Sequence, residues 1–115
     1  ASNGYRYFVA YSDKKMVGYC AIKPDYEKKG IFLSKLYVDK PSRDQGISKI
    51  FLEKIKEIAK ESGLSHIWLN VNKHNNTTIN IYKRLGFEII DDIVTDIGSG
   101  YVMDDYVMRM VLEAK

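Results

Sequence analysis

Residues Tyr5 to Tyr11 alternate aromatic or β-branched side chains with smaller or polar ones, the two-residue period of a half-buried strand. Ser12 to Lys15 is a polar turn, and Val17 to Ile22 repeats the strand signal, so the two predict a hairpin. Pro24 to Gly30 is a charged connection leading to a third strand, Ile31 to Val38. Beyond the loop Asp39 to Gly46, apolar residues recur at Ile47, Ile50, Phe51, Ile55, Ile58 and Ala59, which is one face of an α-helix. Gly63 stands where a C-terminal capping glycine belongs. His66 to Val71 is a short apolar strand. Asn75 to Thr78 supplies N-cap candidates for a second helix with Ile79, Tyr82 and Leu85 on one face and Gly86 as its stop. Phe87 to Ile97 and Tyr101 to Leu112 flank the turn Gly98-Ser99-Gly100 as two long strands. The predicted order is β-β-β-α-β-α-β-β: a single α/β (α+β) domain with a mixed, mostly antiparallel sheet flanked by helices.

The 115 residues suffice for one domain with a modest core, and 45% hydrophobic with 29% charged residues is the balance of a globular chain. The nine tyrosines read mostly as half-buried strand residues. A net charge of +3, read as spread along the chain, suits an anionic cofactor and is too weak to indicate nucleic acid. The lone Cys20 excludes an internal disulfide and reads as an inert packed thiol, which points to a cytoplasmic protein. No apolar run is long enough for a membrane helix, so no membrane partner is expected. His66 and His74 have no partner at metal-ligand spacing, and no metal is expected.

The loop Arg43-Asp44-Gln45-Gly46-Ile47-Ser48-Lys49 joins a strand to an amphipathic helix. The first turn of a helix has unpaired N–H groups and partial positive charge, which together hold a pyrophosphate. Gly46 has no Cβ to obstruct a close backbone approach, Ser48 is small, and Arg43 and Lys49 add charge. An ordinary helix entry would use the same residues. The spacings of a P-loop and of the dinucleotide fingerprint are both absent.

The second helix alters that balance. Asn75, Tyr82 and the closing Leu85-Gly86-Phe87 resemble the late motif of the GNAT N-acetyltransferase superfamily, and Leu36-Tyr37-Val38 through Ser48 resembles its acetyl-CoA motif. The resemblance runs from about Phe8 to Leu112, with the motifs in family order. Ser48 stands where Gly or Ala is usual, and the strand and two helices that normally open the fold are missing, so an N-terminally truncated domain is expected. The stretch Asp96 to Met108 resembles the end of the PaiA-like branch, which is associated with polyamine acetylation.

The resemblance implies direct transfer of acetyl from acetyl-CoA to a small-molecule amine, a polyamine such as spermidine among the candidates. Tyr82 matches the acid that protonates the departing thiolate, although a core tyrosine would show the same spacing. Asn75 matches a contact to the pantetheine arm, or it is simply a helix cap. Leu36, Tyr37 and Val38 match the strand that pairs with pantetheine, and Arg43, Asp44, Gln45, Gly46, Ile47, Ser48 and Lys49 match the pyrophosphate cradle. No general base is legible: the third strand carries Ser34 and Lys35 where relatives often have Glu. Asp104 and Asp105 could attract a cationic acceptor or form a solvated turn. Two other functions stay open, a CoA-binding regulatory or scaffold module and a protein N-terminal acetyltransferase. An incomplete domain exposes apolar surface, so a homodimer is also expected.

Overall fold

The computed structural model describes residues 4–43 and 46–112. Its elements are β1 (Arg6–Ser12), β2 (Lys15–Asp25), β3 (Gly30–Val38), a 3₁₀ turn (Lys40–Ser42), α1 (Ile47–Glu61), β4 (His66–Asn72), α2 (Asn76–Leu85), β5 (Glu88–Gly98) and β6 (Tyr101–Val111). The strands form one sheet in the order β1-β2-β3-β4-β6-β5, antiparallel everywhere except between β3 and β4. The predicted element order holds. β2 runs past the expected end because Pro24 and Asp25 pair with Ile31 and Gly30 at the hairpin mouth. The loop before α1 contains an unpredicted 3₁₀ turn, capped by Asp39, whose Oδ1 accepts from the Ser42 N–H at 3.1 Å.

The crossovers β3-α1-β4 and β4-α2-β5 step the same way across the sheet, and right-handed connection puts both helices on one face. One cluster forms there. α1 contributes Phe51, Leu52, Ile55, Ile58 and Ala59, α2 contributes Ile79, and the strands contribute Ile31, Leu33, Ile67, Leu69, Met108 and Met110. Burying each large side chain is worth about 1.5–3 kcal/mol, and this cluster is what fixes the two helix starts. Cys20 is fully buried in it, as the sequence suggested, and burial pushes its thiol up to about 11. The tyrosines differ from expectation. Tyr7, Tyr11, Tyr37 and Tyr101 are exposed, because the opposite face of the sheet carries no layer among the described residues, and Tyr26 is exposed in the turn between β2 and β3.

Candidate active site

Within β3 the buried residues are first Ile31 and Leu33, then the core-packed Leu36. That change of parity is a β-bulge. Ile22 pairs with Leu33 and Ala21 with Lys35, leaving Ser34 as the extra residue on β3. The parallel pairing of β3 with β4 consists of Gly30 with His66, Ile31 with Ile67 and Phe32 with Trp68, and it stops there, one residue before the bulged segment. Beyond that point β3 keeps its bonds to β2, and β4 keeps its bonds to β6, while the edges facing each other diverge. The result is a wedge in the middle of the sheet whose banks carry backbone groups without a neighbouring strand. Strand donors and acceptors without a neighbouring strand can pair with an extended ligand instead.

Both helices begin at the open end of the wedge, because each follows directly from the carboxyl end of one of its banks. Their starts differ chemically. α2 is capped by its own chain: Asn75 Oδ1 accepts from the Thr78 N–H at 3.3 Å. α1 is not. Its first internal bond runs from the Ile50 N–H to the Gly46 carbonyl at 3.0 Å, and among the described residues nothing accepts from the N–H groups of Ile47, Ser48 and Lys49. Gly46 has a left-handed φ of 77°, and a Cβ built there would meet no atom within 4 Å. Free amides around an open, glycine-lined turn fit a diphosphate. Arg43 is exposed beside it, held by donation from its Nε to the Val38 carbonyl at 3.2 Å.

The other candidate residues fall as follows. Leu36 points into the core, and Tyr37 lies on the opposite face against Tyr19, with ring centroids 5.5 Å apart. Val38 is half-buried, Ile47 and Ser48 are half-buried at the helix start, and Lys49 is exposed. Asp44 and Gln45 lie outside the described residues. Asn75 uses its side-chain carbonyl as the cap, which leaves its amide NH₂ for another partner. Tyr82 packs against the core cluster and meets Phe87 edge-on, with centroids 5.4 Å apart at 70°. Burial pushes its phenol up to about 12, so it stays protonated throughout the physiological range. The bulge and the wedge were not read from the sequence. Their signal was the shift of apolar positions in β3 from Ile31 and Leu33 to Leu36 and Val38.

Two further features were missed, an ion-pair cluster at the wedge mouth and a cavity nearer the paired end of β4. Lys73 Nζ lies 2.7 Å from Asp104 Oδ1 and 3.4 Å from Asp92 Oδ2, and the Lys73 N–H donates to the Asp104 carbonyl at 3.0 Å. The hydrogen bond to Asp104 is the main cause raising the lysine's pKa. This tie fastens the β5–β6 hairpin beside the start of α2. On the sheet face away from the helices, a cavity of about 290 Å³ has Trp68 and Asn70 of β4 and Val107 of β6 in its wall.

A splayed parallel pair with an uncapped helix start beside it defines an α/β domain with a place for an extended ligand that ends in a diphosphate. The comparisons agree and are more specific. The model of the Acetyltransferase (GNAT) family matches residues 1–87, and the chain belongs to that family. Among relatives, streptothricin acetyltransferase of Streptomyces lavendulae is 29% identical over 83 residues, 71% of this chain and 44% of that protein. The probable N-acetyltransferase san of Drosophila melanogaster is 33% identical, covering 72% and 47% of the respective chains. This chain therefore spans less than half the length of these two relatives. Nourseothricin acetyltransferase has the same fold, with a TM-score of 0.85 at 24% identity over 97% of this chain and 68% of that one. The PaiA N-acetyltransferase of Thermoplasma acidophilum, solved in complex with coenzyme A, has a TM-score of 0.77 at 23% identity over 96% and 63%. Among the described residues no helix is long and apolar enough to cross a membrane.

Proposed function

We propose that this domain transfers the acetyl group of acetyl-CoA directly to a primary amine, with a polyamine such as spermidine as acceptor. The observation that carries the reading is the β3–β4 wedge, with an uncapped helix start at its open end. The free N–H groups of Ile47, Ser48 and Lys49 would hold the pyrophosphate, with the positive charge of Arg43 and Lys49 beside it. The banks of the wedge, β3 from Leu36 to Val38 and the end of β4, would pair with the amides of the pantetheine arm, and the NH₂ of Asn75 lies at the same end. Acetyl-CoA supplies the activated thioester. The neutral amine attacks its carbonyl, the C–N bond forms, the C–S bond breaks, and Tyr82 donates its proton to the departing sulfur. The proton lost by the product nitrogen restores the phenol.

Charge supports a cationic acceptor. It is distributed unevenly along the chain, contrary to the even spread expected above. Residues 1–87 carry sixteen Lys and Arg against eight Asp and Glu, while residues 88–105 carry six acidic side chains and no basic one. The basic part includes the uncapped start of α1, and the acidic part is the hairpin beside the wedge mouth. An anionic cofactor and a cationic acceptor would each approach a surface of opposite charge. A reducing cytoplasm suits the single thiol, and the open sheet face with its exposed tyrosines supports association of two copies.

Steady-state turnover with acetyl-CoA and spermidine tests the proposal, with Tyr82→Phe and an N-terminal peptide as comparisons. We expect turnover of spermidine above that of the peptide, and a loss of roughly 10²-fold or more in kcat for Tyr82→Phe with CoA affinity unchanged in calorimetry. Binding of CoA without turnover of any amine would instead favour a regulatory module. Preference for the peptide would favour protein N-terminal acetylation.

A further inference from the structure

We infer that Asp105 selects the acceptor, holding a second, cationic nitrogen of a short diamine while the first nitrogen lies in the wedge. The inference rests on the acetyl-transfer reading of that wedge and names the substrate class it takes. Adjacent residues of a strand point to opposite faces, and the two neighbouring aspartates of β6 divide accordingly. Asp104 shares the parity of Tyr106, Met108 and Met110, lies on the helix side, and is occupied by Lys73 at 2.7 Å. Asp105 has the opposite parity, that of Val107 and Arg109, and stands in register with Asn72 of β4 and Ile93 of β5.

Asp105 is half-buried, yet among the described residues it has no hydrogen-bond or ion-pair partner. A carboxylate withdrawn from water without a counter-charge loses solvation that a cation would restore. No lysine or arginine among the described residues makes an ion pair with it, Lys35 of the same face included. Lys73 is on the other face and already serves Asp104 and Asp92. Arg109 lies four residues along the same strand, about 13 Å away at the usual rise. On the same face, the bulged segment of β3 offers Ser34 and Lys35, and β4 offers Asn70 and Asn72. Asn72 Oδ1 is already engaged by the His74 N–H at 2.9 Å. Crossing from the wedge over β4, Asn72 comes first and Asp105 directly after it, one strand spacing of about 5 Å further on. An aminopropyl or aminobutyl arm spans that step, so one end of a diamine reaches the thioester while the other meets the carboxylate.

The test measures affinity of the CoA-loaded protein for butane-1,4-diamine and for n-butylamine, by calorimetry, for the native chain and for Asp105→Asn, Asp105→Glu and Glu88→Gln. The native chain is expected to bind the diamine at least about tenfold more tightly than the monoamine, a difference near 1.4 kcal/mol. Asp105→Asn should abolish that preference, and Asp105→Glu should restore part of it. Glu88→Gln removes a charge from the same hairpin at its far end and should leave the preference intact. Equal affinity of the native chain for the two amines overturns the inference without any variant, as does an undiminished preference in folded Asp105→Asn. CoA titrated alone keeps the two readings separable. If CoA fails to bind while the diamine preference persists in its absence, the acetyl-transfer reading falls and the diamine site at Asp105 stands.

Discussion

Tyr82 shows how one side chain answers to packing and chemistry together. It sits in the core cluster, edge-on to Phe87, and the same burial that favours a plain core tyrosine pushes its phenol up to about 12. A group with a raised pKa in the folded chain keeps its full contribution to stability below its unfolded value near 10. That contribution is lost as pH climbs through the folded value. Stability should therefore decline between about pH 10 and pH 12, and Tyr82→Phe should decline less steeply over the same window, as read by chemical denaturation at a series of pH values. Identical slopes for the two proteins would mean that the phenol is not the titrating group. At neutral pH the same environment keeps a proton on Tyr82 for donation, so its structural and catalytic readings are compatible.

Among the elements, the start of α1 and the end of β3 carry the most consequence. A fifteen-residue helix with Phe51, Leu52, Ile55, Ile58 and Ala59 buried needs no cap to stay in place, which frees its first turn for a ligand. The chain enters that helix through Gly46 at a φ of 77°, where an L side chain costs about 1–2 kcal/mol. Gly46→Ala should lower stability by about that amount and weaken CoA binding by more than roughly tenfold, since the methyl would stand in the turn where the backbone must meet the ligand. An unaltered CoA dissociation constant in calorimetry would remove the diphosphate from this turn. At Gly18, in contrast to the open turn at Gly46, a Cβ would come within 2.7 Å of the Tyr37 carbonyl and 3.3 Å of Phe51. The backbone cannot yield as a flexible side chain would, so Gly18→Ala is expected to cost about 1–3 kcal/mol in thermal or denaturant unfolding.

Taken together, the elements give a sheet covered on one face and open on the other, with a polarised charge. The helices and the uncapped turn lie in the basic stretch, and β5, exposed along its entire length, lies in the acidic hairpin. Tyr7, Val9, Tyr11 and Tyr37 leave a sizeable apolar surface on the first three strands. Surfaces of this kind mark contact sites in soluble proteins, and we expect a dimer by native mass spectrometry or sedimentation. A monomeric mass at high protein concentration would dispose of it.

The linear chain was enough to establish the order and type of the elements, because amphipathic periods, glycine stops and cap residues act over a few neighbours. It also marked the two helix starts and Tyr82, since the motif residues there are close in sequence. It could not show the wedge as a wedge. The parity shift around Ser34 is written in β3, but its effect, the parting of β3 from β4, exists only where two strands meet. The same holds for the neighbouring aspartates of β6. In sequence Asp104 and Asp105 are equivalent charges; the pleat turns one toward Lys73 and the other toward the open face, and only three-dimensional pairing decides which of them meets the lysine.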